Sequence, residues 1–284
     1  YRLHDSGTGR SAGCRAWLRS VEFLRQAAER VFGPTGDVIL RPVQDTHDNR
    51  SWYVELPDVR CIAKLPERPG GLTVEPAMEY ELLRLTARAR LAPQPLARDV
   101  PTEILFIEEL GSASRLNAQQ VRDEDLMTRV AGSLRALHSL PAPKALRVFD
   151  PAGFAEVYGE AVTGGAVRRA RALIYEINQL MTRCAQIVAG DCLCHNDLHI
   201  GNLLLDEQLW FVDFEYAVQA APIVDIASYA AFNALEIDAA MQLARAYVGS
   251  DQMPSVTVLQ DVIRVQQILG ELWEIARSDN NADS

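Results

Sequence analysis

Lysine is nearly missing from this 284-residue chain: Lys64 and Lys144 are its two lysines, and the other 26 basic residues are arginines. A lysine inside an apolar strand, as in RCIAKLP (60–66), therefore calls for an explanation. Positive charge is scarce overall, with 28 basic against 38 acidic residues and a net charge of −10. The average field repels a phosphate backbone, which argues against nucleic-acid binding but is compatible with a cationic small substrate. No apolar run approaches the ~20 residues a bilayer span needs, so no membrane insertion is expected. The polar opening YRLHDSGTGRSAG is not read as a secretory leader. The cysteines (Cys14, Cys61, Cys184, Cys192, Cys194) are few and odd in number. A disulfide framework is not expected in so large a chain, which reads as a protein of the reducing cytoplasm. Internal repeats and low-complexity stretches are also lacking. What is present, 48% hydrophobic and 23% charged residues, suits a sizeable core.

Apolar spacing predicts a first helix over 14–32, with Trp17, Leu18, Val21, Leu24, Ala28 and Val31 on one face. Three strand-like runs follow, DVILRPV, SWYVEL and RCIAKLP, an antiparallel meander pattern. Helical period returns over 75–90, LAPQPLARD reads as a Pro-punctuated connector, and TEILFIEEL (102–110) as a further strand. Beyond Gly111 the pattern is mainly helical: 118–140, 151–162, 166–189, 223–234, 236–248 and 256–277. Short strand runs CLCHND, NLLLD and QLWFVDF lie between. The expected division is a β-rich lobe over 1–110 and a larger helical lobe over 111–284.

Chemistry concentrates in LCHNDLHIGNLLLDEQLWFVDFEYA (193–217). Asp197 stands two residues after His195, Asn202 five residues after Asp197, and Asp213 at the end of an apolar run. A loop carboxylate can accept the proton of a substrate hydroxyl. An Asn carbonyl oxygen and a second carboxylate offer the hard oxygen ligands that Mg²⁺ requires. A Cys192-x-Cys194-His195 zinc site is not expected, because no second Cys/His pair follows at a usable spacing.

The order His-x-Asp, four residues, Asn, then Asp-Phe-x matches a kinase-type signature. With His195-Asn196-Asp197-Leu198-His199 and Asp213-Phe214-Glu215-Tyr216-Ala217, the chain resembles the aminoglycoside phosphotransferase-like superfamily, and within it the choline/ethanolamine and thiamine kinase-like branch. The resemblance runs over roughly 36–275. PIVDIASYAAFN, with Asp225, is similar to the family's helix behind the catalytic loop. The fold implied is α+β and protein-kinase-like: two lobes, a small antiparallel sheet and a larger, mainly helical partner, with ATP between them.

The resemblance also implies site residues. Asp197 would orient and deprotonate the acceptor alcohol; Asn202 and Asp213 would hold Mg²⁺. Lys64 would pair with the ATP phosphates, with Glu79 or Glu81 as its ion-pair partner and Glu79 the better fit. ILFIEELG resembles the hinge that meets adenine, placing Glu108 and Leu110 there. The family's Gly-rich loop has no counterpart in QDTHDNRSW (44–52); Asn49 fits a looser polar pattern. Glu215 either shapes its turn or lends charge near the substrate, and Trp273 is either core or part of an aromatic substrate pocket. The partner implied is a small-molecule alcohol of cationic character, such as choline, ethanolamine or thiamine. An aminoglycoside or other small-molecule acceptor and a non-catalytic nucleotide-binding pseudokinase remain alternatives. A protein kinase is disfavoured by Glu215 in place of Gly and by the missing Ala-Pro-Glu segment.

Overall fold

The computed structural model describes residues 11–34, 38–43, 51–66, 72–249 and 253–282. They form two compact units. The first comprises residues 1–67 and 94–109, and the second residues 68–93 and 110–284.

In the first unit, helix α1 (Ser11–Phe32) precedes a five-stranded antiparallel sheet of β1 (Ile39–Pro42), β2 (Ser51–Glu55), β3 (Arg60–Lys64), β4 (Pro95–Asp99) and β5 (Ile104–Glu108), in the order β1-β2-β3-β5-β4. Alternation along β2 turns Trp52 and Val54 inward. They stand opposite Ala63 and Cys61 of β3. These four side chains join Ile104 and Phe106 in one core with Leu24, Ala27 and Ala28 of α1. The predicted apolar face of α1 is thus buried at Leu24 and Ala28, with Val21 and Val31 packed against the same core. The side chains of Trp17 and Leu18 lie outside the described ones. Arg30 of α1 clamps the buried Asp99 of β4 through two hydrogen bonds of 2.9 and 2.7 Å. Burial pushes the Cys61 thiol up to about 12, so it behaves as an apolar core group.

LAPQPLARD is not a connector: Pro95–Asp99 is strand β4, paired with β5. The strand lies at the sheet edge, where a proline's missing N–H breaks no ladder, and its register shifts between Pro95 and Ala97.

The second unit holds α2 (Pro76–Arg88), β6 (Ser114–Arg115), α3 (Glu124–His138), α4 (Pro151–Glu160), α5 (Val167–Val188), β7 (Cys192–Cys194), β8 (Leu203–Leu205), β9 (Leu209–Phe211), β10 (Val218–Ala220), α6 (Ile223–Phe232), α7 (Ile237–Val248) and α8 (Val256–Ala282). The segment carrying Glu79, read from the sequence with the β-rich lobe, groups here with the helical unit. Helix α3 begins later than the expected 118. Asp123 caps it by accepting the Leu126 N–H, and the side chain of Asn117 folds the preceding residues into a turn.

The small strands frame one pair of loops. β7 pairs with β10, and β6-β8-β9 form a second ribbon. The chain between β7 and β10 therefore leaves and returns at neighbouring points, carrying residues 195–217 with it. Gly190 closes the approach to β7: a Cβ there would sit 2.6 Å from the Ala221 backbone nitrogen, so no larger residue fits.

Candidate active site

Two loop residues have a left-handed backbone that few side chains tolerate: Asn196 at φ +64° and Asp213 at φ +68°. Asn and Asp are among the residues that accept it. Asn196 stands directly before Asp197, and Asp213 is itself one of the residues singled out from the sequence.

Asn202 braces Asp197. Its Nδ2 donates to the backbone oxygen of Asp197 at 2.9 Å and to Oδ2 at 2.8 Å. Because the amide nitrogen faces Asp197, the Asn202 carbonyl oxygen is presented away from it. The Asn202 backbone oxygen accepts the Val212 N–H at 3.0 Å, which ties this residue to the one before Asp213. His195 makes a second tie. Its Nε2–H donates to the Val212 oxygen at 3.0 Å, while Nδ1 accepts the Asp197 N–H at 3.3 Å. These partners fix one tautomer and make His195 a brace between the loops.

His199 stands close to the same carboxylate. Its Nδ1 accepts the Gly201 N–H at 3.0 Å, so the ring proton lies on Nε2, 3.6 Å from Asp197 Oδ2. The ring lies against Gly201, where an added Cβ would come within 2.6 Å of it.

Helix α6 supplies the floor. Asp225, fully buried, accepts the His195 N–H at 2.9 Å on Oδ2 and the Asn196 N–H at 2.7 Å on Oδ1. Ser228 Oγ accepts the Leu198 N–H at 3.0 Å, and Asn233 Nδ2 donates to the Leu198 oxygen at 2.8 Å. His138 of α3 completes the set with its Nε2 at 3.0 Å from Asp225 Oδ2 and its Nδ1 at 2.8 Å from the Tyr247 hydroxyl. Burial pushes that hydroxyl up to about 12. A carboxylate oxygen accepts, so His138 Nε2 is the donor towards Asp225.

His138, Cys194 and Asp225 are the one group of three His, Cys, Asp or Glu side chains among the described residues whose ligand atoms lie together. Its members are already engaged in holding the loop: Asp225 accepts the His195 and Asn196 N–H groups and faces His138 Nε2.

The remaining sequence-derived residues are placed as follows. Lys64 ends β3 and is 7% exposed; Glu79 lies in the first turn of α2 and is 4% exposed. Glu108 ends β5, its N–H donating to the Gln94 oxygen and its carboxylate accepting the Gln94 N–H. Leu110 accepts the Ala113 N–H on its backbone oxygen. Glu215 accepts the Val74 N–H on its backbone oxygen at 2.7 Å, linking the exit of the Asp213 loop to the segment that leads into α2. Arg147 donates to the oxygens of Leu72 and Thr73 in that segment. Trp273 of α8 donates its indole N–H to the Tyr216 hydroxyl at 3.0 Å, and the Arg277 guanidinium lies 5.0 Å from the indole centroid. Asn49 lies outside the described residues.

Sequence reading missed Asn196, Ser228, Asn233 and Gln266 as parts of this assembly. A signal existed for one of them: Asp225 and Ser228 are polar residues three apart in an otherwise apolar helix, and so share a face.

Residues 39–257 match the profile of the phosphotransferase enzyme family. Probable choline kinase 3 of Arabidopsis thaliana is 26% identical over 234 residues, 74% of this chain and 66% of its own length. The chain spans 33–68% of the length of the curated relatives it matches. Among solved structures, choline kinase LicA from Streptococcus pneumoniae superposes with a TM-score of 0.78 at 16% identity, covering 92% of each chain. Spectinomycin phosphotransferase, in complex with ADP and spectinomycin, superposes with a TM-score of 0.57 at 14% identity, covering 90% of this chain and 86% of its own. At such identities these likenesses speak for the fold, which is α+β and protein-kinase-like.

Proposed function

The chain belongs to the phosphotransferase enzyme family, and from that premise we propose that it transfers the γ-phosphate of ATP to an alcohol hydroxyl of a small molecule. The observation that carries this reading is the bracing of the Asp197 carboxylate by Asn202, on a loop tied through Val212 to Asp213. Phosphoryl transfer asks little covalent chemistry of a protein; it asks for positioning and for stabilisation of charge.

Asp197 would orient the acceptor hydroxyl and take its proton as the bond to phosphorus forms. Mg²⁺ fits the donor set, since the Asn202 carbonyl oxygen and the Asp213 carboxylate are hard ligands. These two residues would hold it, and the ion when bound would neutralise the charge of the nucleotide phosphates. Lys64, a buried ammonium in a chain with almost no lysine, is proposed to serve those phosphates, and Glu79 to support it. Glu108–Leu110 are proposed to receive adenine, through backbone groups other than the Glu108 N–H. Glu215 and Trp273 are assigned to the acceptor.

The acceptor we favour is a small cationic alcohol of the choline, ethanolamine or thiamine kind. The choline kinase relatives support it, as does a net charge of −10. An aminoglycoside-like polycation is the second reading, supported by the structural likeness to spectinomycin phosphotransferase. A coupled ADP-release assay over choline, ethanolamine, thiamine and aminoglycosides tests both. Acceptor-dependent ADP release with one of them supports transfer to that class. Nucleotide binding without acceptor-dependent release from any of them contradicts the cationic-acceptor reading.

A further inference from the structure

Every polar group that the Asn196 side chain owns is committed, and each commitment reaches a different element. Oδ1 accepts from Gln266 Nε2 of α8 at 2.9 Å. Nδ2 donates to the Tyr216 backbone oxygen at 3.3 Å, just past the Asp213 loop. The Asn196 backbone N–H is held by Asp225 of α6. The carbonyl oxygen of Tyr216 can only accept, so it fixes which end of the Asn196 amide faces it. That in turn fixes the Gln266 amide as the donor. Gln266 is 1% exposed, so this bond has no water to replace it.

Tyr216 is gripped at both ends, its backbone oxygen by Asn196 and its hydroxyl by Trp273 Nε1. Gln266 and Trp273 are seven residues apart on α8, two helical turns or about 10 Å along one face. One face of α8 therefore reaches Asn196 directly at its near end and through Tyr216 at its far end. Asn196 is covalently joined to Asp197.

We propose that Asn196 is a positioning residue that couples the acceptor-binding face of α8 to the catalytic carboxylate of Asp197. This rests on the assignment of Asp197 and Trp273 given above. It also accounts for the residue type. The backbone at φ +64° would be served by glycine at least as well, but glycine offers no amide to join α8 to the loop. Acceptor seating against Trp273 would be read at Asp197 through two short hydrogen-bonded paths rather than through solvent.

The separating variant is Asn196→Gly, which keeps the backbone conformation and the N–H to Asp225 and deletes only the side-chain bridges. Gln266→Leu removes the α8 partner from the other side, and it sits within a helix, so it carries the test alone should Asn196→Gly not fold. With the acceptor found by the ADP-release assay, each variant should bind Mg–ATP as the wild type does. Each should lose about tenfold in kcat/KM for the acceptor, the scale of one or two buried hydrogen bonds. The double variant should lose no more than Asn196→Gly alone, because that substitution already breaks the path that runs through Gln266. A purely structural role would lower Tm without separating acceptor KM from ATP KM. Wild-type acceptor kinetics in Asn196→Gly, equal losses for ATP and acceptor, or losses that multiply in the double variant would overturn the proposal. Asp197→Asn, run alongside, reports on the catalytic assignment itself: full activity there would remove the premise, whereas a defect there with a neutral Asn196→Gly would remove only the coupling.

Discussion

Asn202 Nδ2 donates to Asp197 twice, to its backbone oxygen and to its carboxylate, at 2.9 and 2.8 Å. One amide thereby sets both the local backbone and the side-chain rotamer of the loop carboxylate. Its carbonyl end remains for a hard cation. On the proposed mechanism, orientation of the proton acceptor and ligation of Mg²⁺ would be joined in this one side chain.

Asn202→Ala should therefore injure more than metal binding. At saturating Mg²⁺ we expect kcat to stay about 10–100-fold below wild type, since the Asp197 carboxylate loses a charge-assisted partner of about 1.5–3 kcal/mol. A Mg²⁺ titration of turnover checks this. Recovery of wild-type kcat at high Mg²⁺ would reduce Asn202 to a metal ligand.

Asp225→Ala strips the partners from the backbone N–H groups of His195 and Asn196 and from His138, all in a fully buried setting. Breaking such a set typically costs about 3–5 kcal/mol. Urea denaturation should show a loss of that order, with Ser228→Ala losing about 1–3 kcal/mol for the single Leu198 N–H. Equal, small losses in the two variants would deny Asp225 its place under the loop.

Much of this site was legible in the sequence because Asp197, Asn202 and Asp213 lie within seventeen residues on short strand and loop segments, where spacing translates directly into proximity. Of the floor, only Asp225 was legible, through the resemblance of its helix to the family's helix behind the catalytic loop. Ser228 and Asn233 reach the loop because α6 packs beneath it, and Gln266 arrives from α8, seventy residues from its partner Asn196. Local pattern carries no record of such approaches. The same limit explains β4, where prolines spoke for a loop and edge pairing with β5 decided otherwise. It explains β6 and β10, which are too short to show alternation. The long amphipathic helices and the β1-β2-β3 meander lay within reach because periodicity is a property of the segment itself.

The Arg30–Asp99 clamp gives the first unit a defined response to acid. The guanidinium hydrogen bond from Arg30, helped by Thr102, holds the Asp99 carboxyl below the ordinary aspartate range against the opposing effect of burial. A depressed native value means that the unfolded chain takes up the proton first as pH falls. The stabilisation is thus fully present above the ordinary aspartate range and is lost as pH drops through the lowered native value. Melting curves of wild type and Asp99→Asn should differ most near neutral pH and converge in acid. A Tm gap that widens on acidification would reverse the sign and refute the clamp.

The most direct test of the catalytic assignment is the steady-state kinetics of Asp197→Asn beside its nucleotide affinity. Asn is nearly isosteric and a good turn residue, so loop and nucleotide site should survive. It lacks the charge needed to accept the hydroxyl proton. We expect Mg–ATP affinity within about twofold of wild type and kcat lower by ~10²–10⁴-fold, the usual reach of general-base assistance, with the lower end favoured if proton transfer is late. A variant that binds nucleotide normally and keeps more than about a third of wild-type kcat, far short of that general-base loss, would contradict the assignment and leave Asp197 as a structural cap of its loop.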